Sequence, residues 1–146
     1  MSRLLAGTKE NPLCESADMS NSYEDISIGI TGVGEWQISS EELGRGLVLQ
    51  TNRGQIETII HHDPLVPTHR GIVWVSGASG GFNGPAGGIY RLLGDKFSPG
   101  ITSLRVDYRE PNNLIECVMD TLAAVSFLTG TGHTDTLLVG HSFGGA

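Results

Sequence analysis

The segment at 136–145, Thr136-Leu137-Leu138-Val139-Gly140-His141-Ser142-Phe143-Gly144-Gly145, constrains the chain more than any other. A short apolar run passes directly into Gly-His-Ser-Phe-Gly. A strand that ends in Gly-x-Ser-x-Gly folds as a nucleophile elbow, a turn so tight that glycine is needed two residues either side of the serine. The turn lifts the Ser142 hydroxyl clear of the sheet. The next residues are then expected to open a helix, whose N-terminus favours the negative charge of an acyl-transfer intermediate. The pattern is short and the chain holds 21 glycines, so its surroundings must decide.

Those surroundings alternate between strand and helix. Residues 1–22 are polar and aperiodic, and read as a leader. Ile26, Ile28 and Ile30 alternate within 23–30, which suggests a strand broken by Gly32 and Gly34. Residues 47–51 and 55–61 read as a β-hairpin turned by Asn52-Arg53-Gly54. The continuous apolar run at 71–75 marks a strand buried on both faces of a parallel sheet. A glycine-rich loop follows at 76–85, then a helix over 87–95 with Ile89, Tyr90, Leu92 and Leu93 as its apolar side, then a strand over 101–106. Asn113 and Glu116 stand as a capping pair before Ile115, Val118, Leu122 and Val125, which recur at helical spacing up to Gly130. The last strand covers 136–139. This order implies an α/β fold, an antiparallel hairpin leading into parallel strands with covering helices. The chain divides into an acidic leader at 1–45 with a possible short strand, and a domain at 46–146.

A second match, Gly77-Ala78-Ser79-Gly80-Gly81, makes Ser79 a rival to Ser142. An elbow needs a strand before it and a helix directly after it. Gly80, Gly81, Gly84 and Pro85 follow Ser79 and cannot sustain a helix there, so the context favours Ser142.

With these elements in place, the chain resembles the α/β-hydrolase superfamily, nearest to its dienelactone-hydrolase and esterase branches. The resemblance covers roughly 47–146. It rests on the hairpin, the Ser76-to-Gly81 loop, Asp107-Tyr108-Arg109 after the following strand, and Gly140 to Gly145. It implies a serine hydrolase of ester or related acyl bonds, acting on a small-molecule acyl substrate through a Ser142 acyl-enzyme. It also implies an oxyanion hole made by the backbone N–H of Ala78, with Ser79 as its alternative, and that of Phe143. The family's triad runs serine, acid, histidine, whereas His61, His62, His69, His133 and His141 all precede Ser142. The acid and histidine are therefore expected downstream, and the chain reads as the N-terminal, truncated part of a longer hydrolase. Two other readings stay open: a non-catalytic binding module with a vestigial elbow, and a self-sufficient small protein whose last strand is completed by a second chain.

Other residues receive plainer readings. His141 is a packing residue of the elbow, and His61, His62 and His133 are solvated. Asp107 and Arg109 form ion-pair or loop-anchoring contacts, and Trp74 belongs to the core. Phe82 is core or pocket wall, and Glu116 with Asp120 forms a solvated helix face. A net charge of −7 argues against nucleic acid or an anionic membrane as partner, and no stretch is long enough for a membrane span. Cys14 and Cys117 lack metal-ligand spacing and read as free thiols of a cytoplasmic protein. Neither Gly32-Val33-Gly34 nor Gly44-Arg45-Gly46 has the setting of a nucleotide site. No cofactor or metal is expected.

Overall fold

The computed structural model describes residues 26–146; Cys14, the leader expected at 1–22 and the start of the strand expected over 23–30 lie outside them. The elements run β1 (Ile30–Trp36), β2 (Arg45–Thr51), β3 (Gly54–His61), β4 (Arg70–Val75), α1 (Ile89–Phe97), β5 (Thr102–Val106), α2 (Leu114–Gly130) and β6 (Asp135–Gly140). A 3-10 turn, Ser142–Gly145, follows the last strand. One six-stranded sheet has the order β1-β2-β3-β5-β4-β6. The first three strands and β5 pair antiparallel, while β5, β4 and β6 are parallel. This is the expected α/β architecture.

The hairpin is tighter than its sequence suggests, because Gly54 pairs with Thr51 and leaves Asn52-Arg53 as the loop. The first strand is corrected further. It begins at Ile30, where the expected strand was to end, and continues through Gly32 and Gly34. Those glycines face Gln50 and Val48 of β2. The partner strand supplies the backbone hydrogen bonds, so the ladder needs no side chain at either position. The sheet thus reaches upstream of residue 46.

Strand β4 carries side chains to both faces, as period-2 geometry requires. Val73 and Val75 join Leu49, Ile56, Leu104, Val106, Ala123, Ala124 and Leu128 on the face under α2. Ile72 and Trp74 pack with Tyr90, Ile89, Leu93 and Phe97 on the face under α1. Trp74 is core, as expected. Leu92 does not join the apolar side of α1 and stays exposed.

The facing of α2 departs from the sequence expectation at every residue of the apolar row but Val125, which does pack against the core. Ile115, Val118 and Leu122 are exposed, whereas Glu116, Cys117, Met119, Asp120, Ala123, Ala124 and Leu128 are buried. Small side chains at Cys117, Ala123 and Ala124 let the helix lie close on the sheet. The carboxylates are tolerated inside because each meets an arginine. Arg109 donates through Nε to Asp120 at 2.5 Å and through Nη2 to Glu116 at 2.6 Å. Arg53 of the hairpin loop closes on the other oxygen of Glu116. Asn113 caps the helix as expected, accepting the Glu116 N–H at 3.4 Å, but the Glu116 carboxylate turns to the arginines rather than back to the cap. These arginines hold the carboxyl of Glu116 below its usual range, while burial raises that of Asp120. The solvated face read for this pair is instead the joint between α2 and the hairpin.

Among the described residues nothing covers the displaced apolar row. Leu114, Val118 and Leu122 line a shallow cleft with Leu138 and Phe143, next to the sheet edge formed by β6. Among the described residues no helix is long and apolar enough to cross a membrane.

Candidate active site

Backbone packing explains both glycines of the elbow. A Cβ at Gly140 would overlap the carbonyl of Gly144, and one at Gly144 would overlap the carbonyl of Ser76. The chain folds back so closely that no side chain fits at either position. Between them Ser142 takes φ 56, a left-handed conformation rare for a residue with a Cβ. Such a conformation costs about 1–3 kcal/mol and persists only where its surroundings enforce it. Ser142–Gly145 form a single 3-10 turn, with Gly144 N–H donating to His141 O at 3.1 Å.

The glycine-rich loop between β4 and α1 faces this turn across a cavity of about 460 Å³. Its lining includes Gly77, Ala78, Ser79, Phe82, His141 and Ser142. The approach is close: a Cβ built at Gly77 lies 3.6 Å from Ser142 Cβ. Ser79, the rival serine, shares the cavity with Ser142. The backbone after each serine separates them, since Gly80 and Gly81 have positive φ and α1 begins only at Ile89. Phe82 is both a cavity wall and a packed side chain, stacked on Trp36 with ring centroids 5.8 Å apart. Ala78 therefore lies beside Ser142, whereas the Phe143 side chain turns to the apolar cleft on α2.

The loop is fixed from β5. Asp107 accepts the Gly81 N–H at 2.7 Å, and Ser76 Oγ donates to Gly81 O at 2.5 Å. Arg105 Nη1 donates to Phe82 O at 3.3 Å. Asp107 and Arg109 do act as anchors, each to a different partner.

Four histidines stand at the far end of the parallel strands. His69 adjoins the start of β4 and His133 precedes β6. His61 pairs with Ser103 at the start of β5, and His62 Nδ1 lies 3.0 Å from Thr102 Oγ1. Strands of this length separate the two ends by roughly 15 Å. None of the four reaches Ser142. The solvated reading of His61 and His133 is corrected, since both are buried. His133 bonds Thr102 Oγ1 at 2.8 Å, and His61 Nε2 accepts from Arg105 Nε at 3.1 Å. His141 is exposed at the cavity mouth.

Sequence reasoning missed Arg105, which is fully buried and paired with Glu42 at 2.5 Å. Its signal was the lone charge within the strand 101–106, which demands a buried partner. Nothing in the sequence named Glu42 as that partner.

An open α/β sheet with a serine-bearing turn beyond its parallel strands defines an α/β-hydrolase-like fold, and comparison with solved structures agrees. The chain is similar to an alpha-beta serine hydrolase homologue from Coxiella burnetii, with 20% identity and a TM-score of 0.53 over 75% of this chain. The match spans 55% of that protein's length. No family model and no curated protein matches the sequence.

Proposed function

We propose that this chain carries the nucleophile and oxyanion arm of a serine hydrolase of ester or related acyl bonds. The observation that carries the reading is Ser142 at φ 56, clamped between two glycines that admit no Cβ and facing the 76–84 loop. A hydroxyl presented this way can attack an acyl carbon, and the backbone N–H groups of Ala78 and Phe143 would receive the oxyanion. A serine needs a base to become a nucleophile at neutral pH. Of the histidines only His141 lines the cavity, and its Nδ1 lies against Gly77 without a hydrogen bond to Ser142. The acid and histidine of the triad are therefore assigned to residues beyond Ala146 in the complete protein, and the 146-residue chain alone to a residual rate at most. The similarity to a serine hydrolase homologue supports this reading at the level of fold.

Active-site labelling tests it. The complete protein is expected to take up a fluorophosphonate at Ser142, as read by peptide mapping, and Ser142→Ala to lose turnover of short p-nitrophenyl esters with its melt unchanged. Label at Ser79, or a Ser142→Ala protein that still hydrolyses these esters, refutes the assignment.

A further inference from the structure

From within, the loop facing Ser142 is held by Ser76 Oγ on Gly81 O at 2.5 Å and by a turn bond from Gly80 N–H to Gly77 O at 3.0 Å. It contains Gly77, Gly80, Gly81 and Gly84, and glycine loses the most backbone freedom on ordering. So glycine-rich a segment needs outside ties as well, and these come from the end of β5. Asp107 Oδ1 accepts the Gly81 N–H at 2.7 Å, and the fit is close, because a Cβ at Gly80 would stand 3.0 Å from that same oxygen. Two residues earlier, Arg105 grips Phe82 O from inside the fold and is itself held by Glu42 and His61. Consecutive loop residues are thus tied to one rigid strand, one through its N–H and the next through its carbonyl.

We propose that Asp107 is a positioning residue for the acyl-transfer site: by holding the Gly81 N–H it fixes the loop that presents Ala78 to the oxyanion. This rests on the serine-hydrolase reading above. The physical requirement is geometric. Oxyanion donors act only when already in place, and a misplacement of about 1 Å costs on the order of 100-fold in rate. Asp107 touches neither substrate nor nucleophile in this scheme; its task is to accept one hydrogen bond at one position. An amide oxygen in the same place does that equally well, whereas a carboxylate one methylene further out does not.

The test uses the complete protein with Asp107→Asn, Asp107→Glu and Asp107→Ala. The expected order of kcat on a p-nitrophenyl ester is wild type, then Asn within about threefold, then Glu and Ala reduced about 10–100-fold, with KM within about twofold throughout. Hydrogen exchange at the Gly81 amide is expected to stay slow in the Asn variant and to become fast in the Glu and Ala variants. Should the Ala variant fail to fold, the Asn and Glu pair carries the comparison. A Glu variant as active as wild type, an Asn variant as impaired as Glu, or a change confined to KM overturns the proposal. Ser142→Ala separates the two levels. If it is inactive while the Glu variant is normal, only the role of Asp107 falls. If it retains activity, or if wild type neither turns over ester nor takes up phosphonate, both readings fall.

Discussion

Acidification should destabilise this fold through one histidine. His61 is 2% exposed, and its Nε2 accepts from Arg105 Nε at 3.1 Å. Arginine can only donate, so Nε2 is the unprotonated nitrogen and the proton sits on Nδ1. Protonation of Nε2 would break that bond and bury two cations side by side. Burial first, and the Arg105 charge second, lower the His61 pKa to about 4, against the opposing pull of Asp95 on α1 and Glu42 before β2. The unfolded chain has an ordinary histidine near 6.5, so it takes up the proton more readily than the folded one. The resulting stability is complete above pH 6.5 and is lost as the pH falls from there towards 4. Linkage gives a loss of about 2 kcal/mol at pH 5 and about 3 kcal/mol at pH 4, a large share of the roughly 5–15 kcal/mol a domain possesses. Urea unfolding at pH 7, 6, 5 and 4.5 measures it, with His61→Gln as the control. The glutamine oxygen can accept from Arg105 but does not titrate. Wild type is expected to lose about 2 kcal/mol more than the variant between pH 7 and 5, or roughly 4–8 °C in Tm. Parallel profiles for the two proteins, or an NMR titration of His61 near 6.5, would refute the argument.

Three further outcomes are expected. Asp120→Ala takes from Arg109 one of its two carboxylate partners, Glu116 remaining, and leaves the Arg109 N–H unpaired, so it should destabilise by about 1–3 kcal/mol in a urea titration; an unchanged midpoint speaks against the buried pair. Gly144→Ala forces a Cβ against the carbonyls of Val75 and Ser76, so it should lower the unfolding midpoint by about 1–3 kcal/mol or more and slow phosphonate labelling; an unchanged midpoint speaks against the close approach. The 146-residue chain expressed alone exposes Leu122, Leu137 and Leu138 beside an open sheet edge, and should elute above its 15.5 kDa mass on size exclusion, with Leu122→Lys shifting it towards monomer. A monomer with a sharp melt counts against that expectation.

The sequence by itself determined the α/β order, the hairpin, the buried strand β4 and the elbow. In each case the signal is local: a period, a turn residue, or glycines at fixed offsets from a serine. It also placed the loop of Ala78 after β4, where the fold brings it to Ser142. It did not determine which face of α2 turns inward. Ile115, Val118 and Leu122 have the helical spacing of a core face, and propensity offers no reason to bury Glu116 and Asp120 instead. That choice was made by Arg53, 63 residues away in the hairpin loop, and by Arg109, which the turn after β5 folds back onto the helix. The same holds for Arg105, whose partners Glu42, His61 and Phe82 come from three separate parts of the chain. A buried charge is settled by its partners, and only the tertiary structure brings those together.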